Sequence, residues 1–540
     1  MACNLTPRQP RGEANLLTAN QRIETRALGW YELYFMQSDV AGRINPVALL
    51  TAGVLAVGAL ACGYLLAVDI RSLSLATVGI GWLVLLPYHS PLAVYLSTLT
   101  FGTALIVPFF PGRPYVWELA SLLGWTGLVI TFAMRQHHRT LGVTIRENWL
   151  LFAALAGFCL VLVVTMLGRG VGFRVLGNAQ MGGRFYFQQI SCAIFPLVFA
   201  ACRWDERLLP RLLLAQCLMT TTYLVSDFVF SFAGGPMFLL LQFFELPGDA
   251  LNFEVAARQL GLRRFQSLGI VGQGLFFALL LSFNLREFVT LRRWYLPPLA
   301  AGALAMGLYS GHRWVLVMAG LTTIYALWSQ RFFNVRNTCV TVLLAIVCLA
   351  GTYGFSRELP LTVQRAVSFL PGIRVDSQSY VDAASTLHTR ALLRQVGWQM
   401  VPDYLWLGRG FGLMSAVDYS YQWDPTSITW HVNQGKFYNG PIGLLVNTGL
   451  SGTIFMALFL GAGTALALRI VRRLRRDGCT DSLARACSVV ASLWLAHATA
   501  FVFVAGDVEH ALKTFAFLAG VLLVCDRHLQ HRATQAQPSR

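Results

Sequence analysis

Apolar residues in this chain come in runs of about twenty, the length a helix needs to cross the hydrocarbon layer of a bilayer. Polar residues fall mostly in the short intervals between them. The runs lie near 46–67, 73–88, 92–109, 115–134, 148–167, 185–201, 209–232, 267–285, 294–309, 314–328, 338–354, 440–468, 486–504 and 511–525. This pattern predicts an all-α, polytopic membrane protein with about fourteen transmembrane helices, or about twelve if two short runs are re-entrant. One interval departs from the alternation, because residues 355–439 form the one long, mainly polar stretch. The expected organisation is an N-terminal segment over 1–45, a helix bundle over 46–354, a large loop over 355–439, C-terminal helices over 440–525 and a tail over 526–540.

Composition supports that class. The chain is 56% hydrophobic and 12% charged, against roughly 25% charged residues in soluble domains. Its 42 Lys and Arg outnumber 25 Asp and Glu, for a net charge of +17. The basic runs Arg469–Arg476, Arg135–Arg146 and Arg286–Arg293 fall in connectors that share one side when both termini are cytoplasmic, as the positive-inside rule requires. The large loop then lies on the outer side. The charge is topological, and with no soluble basic face a nucleic-acid partner is not expected. Residues 1–45 lack an apolar core followed by a small-residue cleavage site, so the helix from Pro46 is expected to serve as an uncleaved signal-anchor. Eleven cysteines form no CxxC pair and no His/Cys cluster with zinc spacing, so neither a disulfide framework nor a metal centre is expected.

Several arginines fall on the outer side against the insertion bias: Arg169, Arg174, Arg184, Arg263, Arg264, Arg313, Arg390, Arg394 and Arg409. A phosphate or pyrophosphate group would compensate them, because guanidinium binds phosphate in a bidentate fork. Pairing with Asp and Glu of the same loops, or with lipid headgroups, is the alternative. Within the large loop, Pro360–Pro371 is a short apolar stretch containing Arg365, expected as a helix on the membrane surface. From Ala383 to Met400 the apolar residues repeat at helical spacing, which sets Arg390 and Arg394 on one face. Gly408, Gly410 and Gly412 then break the helix. They permit either a close backbone approach to a ligand or a tight turn. His431 follows, then Tyr438-Asn439 and Gly449-Leu450-Ser451-Gly452. His388 and His312 compete with His431 for any general-base role. Asp376, Asp382 and Asp418 are too scattered for a metal site, and Asp227 falls inside a predicted span, where it marks either a functional polar site or a partner for a nearby Ser or Tyr.

The order Arg390, a helix, the alternate glycines, a variable stretch, an Asn-containing segment and Gly449-x-x-Gly452 resembles the signature of the O-antigen ligase and polysaccharide polymerase superfamily of bacterial membranes. Ser310-Gly311-His312-Arg313 is similar to the hairpin that precedes this loop in that superfamily. Arg174-x-x-Gly177-Asn178 and Arg264-Phe265-Gln266-Ser267-Leu268-Gly269 are similar to its two earlier loops. The resemblance covers about residues 150–460. It implies a bacterial inner-membrane glycosyltransferase of lipopolysaccharide or exopolysaccharide biosynthesis, with twelve to fourteen helices. Such an enzyme moves a glycan from undecaprenyl diphosphate to an acceptor hydroxyl on a glycolipid or growing polysaccharide, with no metal or other cofactor.

By the same resemblance, Arg390 and Arg313 bind the diphosphate, and a histidine of the closing segment is the general base. Arg174, Arg264, Arg394, Arg409, Tyr438 and Asn439 are then expected to bind substrate. The superfamily commonly has His-Asn where this chain has Tyr438-Asn439, and its usual tryptophan and proline in the Arg390 helix are replaced by Arg394 and Leu405. His431 is expected to take over the base role, since imidazole near pKa 6.5 suits it and a tyrosine near 10 does not. Two other readings remain, although the sequence shows no clear internal repeat and its polar loop is long. A carrier of lipid-linked oligosaccharides would show an internal repeat and short loops, and a non-catalytic relative would bind the same lipid-linked glycan.

Overall fold

The computed structural model describes residues 70–540 apart from 109–112, 134–138, 172–181, 203, 233–234, 246–264, 290–292, 412–427, 479–480 and 537–540, together with a few positions between 53 and 63. The expected signal-anchor and N-terminal segment, with Arg174, Arg263, Arg264, Gly412 and Asp418, lie outside the described residues. The chain divides into two units at Val84. The described part of the first is helix α1, Ile70–Val84. The second holds all the elements discussed below.

Its helices are α2 His89–Thr100, α3 Val116–Ala133, α4 Arg139–Glu147, α5 Trp149–Arg169, α6 Gly183–Cys192, α7 Ile194–Ala201, α8 Leu208–Met219, α9 Thr222–Phe232, α10 Gln266–Ser282 and α11 Leu285–Val289. They continue with α12 Leu296–Tyr309, α13 Arg313–Ser329, α14 Val335–Gly354, α15 Leu361–Val367, α16 Ser377–Met400, α17 Ile428–Asn433, α18 Gly440–Asp477, α19 Ser482–Thr499 and α20 Val508–Ala536. Among the described residues the only β contacts are two isolated bridges, Leu105 with Phe244 and Ile106 with Tyr115. The protein is all-helical.

Among the described residues six helices are long and apolar enough to cross a membrane: α3, α5, α8 run together with α9, α14, α18 and α19 extended to Val504. A count of about twelve to fourteen would have to include shorter pieces. α10 and α12 are apolar but have 17 and 14 residues, so they rise only about 26 and 21 Å. The run at 185–201 is split at Ala193 into α6 and α7. α20 continues to Ala536 as a helix through Asp526, Arg527, His528 and Arg532, so residues 526–536 extend a bundle helix. α14 makes the case for a bilayer most directly. It is 20 residues of mainly apolar chain with none buried, a surface that water does not tolerate and lipid does.

Local chemistry sets the helix ends. Asp376, Asn439 and Asp481 cap α16, α18 and α19 by accepting from Gln378 N (2.8 Å), Ile442 N (3.0 Å) and Ala484 N (3.3 Å), each satisfying a donor that the helix leaves open. Gly478 stops α18 in the left-handed conformation at φ 65°. The core forms where α18, α19 and α20 pack together. Trp494 is fully buried between Phe459 and Phe515, with ring centroids at 6.0 and 5.1 Å, and its Nε1–H donates to Thr464 Oγ1 at 3.1 Å.

Three-residue connectors at 310–312 and 505–507 join antiparallel neighbours α12/α13 and α19/α20. The 355–439 segment leaves α14 and enters α18 at that same end of the bundle. Its described residues form a folded layer. α15 packs on α12 and α16, and α16 packs on α17 and α18. The expectation of a surface-lying helix around Arg365 is therefore corrected: Thr362, Gln364, Arg365, Ala366 and Val367 of α15 are buried. The opposite end carries the basic run Arg469, Arg472, Arg473, Arg475 and Arg476, with Arg485 and Arg532.

Candidate functional site

The scaffold of the site is a main-chain exchange between residues 405–410 and a break in α18. Gly449 leaves the helical region at φ 68°, ψ −173°. In an unbroken helix Val446 O would accept from Leu450 N. Here Arg409 N takes Val446 O at 2.7 Å, Gly410 N takes Asn447 O at 2.9 Å, and Leu450 N donates instead to Leu405 O at 2.6 Å. The backbones are so close that a Cβ on Gly408 (φ 73°) would stand 2.4 Å from Asn447 O, and one on Gly449 2.4 Å from Trp406 O. Of the two roles open to the glycines, Gly408 serves the tight turn against protein. Phe411 completes the joint, stacking on Phe185 at 3.9 Å and donating its N–H to Tyr186 Oη at 2.9 Å.

Arg409 is turned into this joint. It is buried, and its guanidinium donates to Val432 O at 2.8 Å and Asn433 O at 3.3 Å, the carbonyls at the C-terminal end of α17. Its expected role as a substrate ligand gives way to that of a strut holding the helix that carries His431. Asn439 is likewise engaged as the α18 cap. Asn439→Ala is expected to lower stability by about 1 kcal/mol, read as a lower thermal midpoint in detergent. An unchanged midpoint would show that the cap contributes nothing.

The chemistry gathers beside that strut. His431 Nδ1 lies 3.4 Å from the Tyr438 hydroxyl, and its ring packs edge-on against Trp430 and Tyr438. The Arg390 guanidinium sits over the Tyr438 ring, 4.9 Å from its centroid, and its Nε is buried with no hydrogen-bond partner. Lys436 is buried with its ammonium over Trp430 at 5.2 Å. Tyr438 adopts φ 49°, a left-handed conformation that a bulky residue holds only when its surroundings fix it. Its N–H donates to Asp507 Oδ1 at 3.2 Å. Burial, then the charges of Lys436 and Arg390, push the His431 imidazole down to about 4, so it is neutral at pH 7.

Arg313 adjoins this group from the hairpin at 310–313. Its Nη2 donates to Ser368 Oγ at 2.9 Å and Arg365 O at 3.3 Å. Burial first, and then the charges of Arg365 and Arg390, hold its guanidinium below the ordinary value, with Asp382 opposing. Arg365 is buried and ties three elements together: it is paired with Asp382, and donates to Thr386 Oγ1 at 3.0 Å and Gly311 O at 2.7 Å. Among the described residues Arg313, Arg390 and Lys436 form no ion pair. Three cations with no ion-pair partner among the described residues, beside a neutral imidazole, make a site suited to a doubly charged anion.

The other expected residues divide. Arg394, one turn from Arg390, is exposed and outside the cluster. His388 is exposed as well, and His312 is the residue before α13. Arg169 Nε donates to Gly408 O at 3.2 Å, supporting the joint. Asp227 accepts from both Ser267 N (3.1 Å) and Ser267 Oγ (2.5 Å), the pairing with serine that its position left open. Arg174 and Arg264 lie outside the described residues. The sequence did not single out Lys436, or a second polar group in which Glu118, 1% exposed, pairs with Arg184 at 3.3 Å and accepts from Gln188. Lys513 donates to Gln188 at 3.2 Å. No family model matches this chain, and no curated protein matches it in sequence.

Proposed function

We propose that this protein is a metal-independent membrane glycosyltransferase of the O-antigen ligase or polymerase kind, acting on an undecaprenyl-diphosphate-linked glycan. The observation that carries the reading is the neutral His431 beside Arg390, Lys436 and Arg313, on the polar layer at one end of an apolar bundle. The basic residues concentrated at the opposite end support a cytoplasmic location for that end, by the positive-inside rule. The site then faces the periplasm, with the 355–439 layer as the large periplasmic segment and some of the shorter helices completing a bundle of twelve to fourteen.

In the proposed reaction the acceptor hydroxyl oxygen attacks the anomeric carbon, and the bond from that carbon to the diphosphate oxygen breaks. His431 takes the hydroxyl proton, and the electron pair leaves with undecaprenyl diphosphate. Arg390, Arg313 and Lys436 stabilise the charge that develops there. Tyr438 orients the base. With Nδ1–H donating to the tyrosine oxygen, Nε2 keeps its lone pair for the proton. The departure from the superfamily's His-Asn is thus accommodated by a base one helix earlier, with tyrosine as its neighbour.

This charge arrangement has a pH signature. The profile of kcat/KM reports the free enzyme, so it should stay flat from about pH 8 down to about 5 and fall only as His431 protonates near 4. Bound diphosphate offsets the charges of Lys436 and Arg390 and draws the imidazole back toward its ordinary 6.5. The kcat profile, which reports the complex, should therefore inflect at higher pH than kcat/KM. Coincident inflections near 6.5 would remove the cations from the neighbourhood of the base.

The function itself is tested with the purified protein and an undecaprenyl-diphosphate oligosaccharide, following donor and products by mass spectrometry. Loss of the donor with release of undecaprenyl diphosphate supports a transferase, and the product mass separates a lengthened glycan from transfer to a new acceptor. An unchanged donor that instead crosses the bilayer of reconstituted vesicles would establish a carrier.

A further inference from the structure

The opposite end of the bundle holds a cavity of about 280 Å³ between α4, α7, α20 and the segment after α7. Phe199 and Val524 give it an apolar wall, and Trp204, Arg527, His528 and His531 face it from the polar side. Two of these present unsatisfied atoms. His528 is 8% exposed and its Nε2 has no hydrogen-bond partner, and the buried Trp204 Nε1–H has none either. A buried donor without a partner costs about 1–3 kcal/mol, so such a pair in one cavity marks a place built for an occupant.

We infer that this cavity binds a phosphate group. The indole N–H only donates, so the occupant must supply an acceptor. His528 Nδ1 lies 3.9 Å from Glu206 Oε1, but burial, with the charges of Arg527, His531 and Arg532, outweighs that carboxylate and holds the imidazole below its ordinary value. The unpartnered Nε2 of the neutral ring carries the proton in one tautomer and is then a second donor to the same oxyanion, and the surrounding cations favour an anion there. The lining carboxylate does not repel it strongly, since Glu206 Oε2 already accepts from Arg532 Nε at 3.0 Å and Nη2 at 2.7 Å. Arg527 reaches Ala200 O at 3.3 Å and Cys202 O at 3.4 Å, which fixes a positive charge at the cavity wall. The volume lies just under the roughly 300–1,000 Å³ of ligand pockets, enough for a headgroup or a small anion. An apolar wall below a basic rim is the arrangement in which anionic lipid headgroups are held. Inorganic phosphate has the same oxyanion chemistry. The inference is independent of the glycosyltransferase reading.

The test uses the full-length protein, stripped of lipid in detergent. Native mass spectrometry would follow titrations with phosphatidylglycerol, with diacylglycerol of the same chains, and with inorganic phosphate. Retention of phosphatidylglycerol over diacylglycerol, weakened about tenfold by Trp204→Phe and by His528→Phe, is the expected result and assigns a lipid headgroup. Retention of inorganic phosphate with the same sensitivity, and no preference for phosphatidylglycerol, would assign free phosphate as the source. Trp204→Phe removes the donor and also trims a ring that packs on Phe199 and Tyr95, so diacylglycerol retention is the control: phosphatidylglycerol retention that falls while diacylglycerol retention is unchanged reports the lost donor and not the fold. Equal retention of the two lipids without phosphate binding would overturn the inference, as would binding indifferent to both variants, and leave the cavity to water.

Discussion

His431→Ala is expected to lower the rate of glycan transfer about 10²-fold or more while the lipid-linked donor still binds. General-base catalysis by a positioned side chain is worth about 10²–10⁴-fold. The positioning here is specific: Arg409 holds the end of α17 through Val432 and Asn433, and Tyr438 holds the ring through Nδ1. The loss should fall on kcat, because the cations that would hold the diphosphate are untouched. Tyr438→Phe keeps the ring under Arg390 and removes only the hydroxyl. At 3.4 Å that hydrogen bond is long, so the expected loss is about tenfold or less. A silent His431→Ala together with a crippling Tyr438→Phe would transfer the chemistry to the tyrosine and overturn the assignment.

What the sequence disclosed and what it hid divide by the range of the interactions. α16 was legible because Leu387, Leu392, Leu393, Val396 and Met400 repeat along one stretch, and that periodicity put Arg390 on a helix. Its first turn, from Ser377, was not legible, because the cap is a single Asp376 side chain and the early residues are polar. Arg365 read as part of a surface helix because its partners are remote: Asp382 is 17 residues away and Gly311 is 54. Arg409 read as a ligand for the converse reason. Its partners are main-chain carbonyls, which leave no mark in composition or spacing. The alternate glycines left two roles open, an approach to a ligand or a tight turn, and Gly408 takes the turn. What approaches Gly408 is the broken turn of α18, and only the three-dimensional pairing with Gly449 shows it.

Arg390→Ala is expected to lower kcat/KM by about 10- to 150-fold at least, the equivalent of one charge-assisted hydrogen bond at about 1.5–3 kcal/mol. The buried Nε without a partner is the reason to expect the upper part of that range. In the free protein that donor is already desolvated and oriented, so an arriving phosphate oxygen gains the bond with little further desolvation. Arg390→Lys separates charge from geometry. The ammonium retains a positive charge but cannot reproduce the guanidinium fork, so it should recover donor binding better than rate. Arg394→Ala is the internal control. It removes the same charge one turn along the same helix, from an exposed position outside the cluster, and should change kcat/KM by less than about twofold, the scale of a screened surface charge. If the two alanine variants behave alike, α16 contributes only a diffuse positive field, and Arg390 has no place at the diphosphate. If Arg390→Ala is severe and Arg394→Ala is silent, the effect belongs to the geometry around Tyr438.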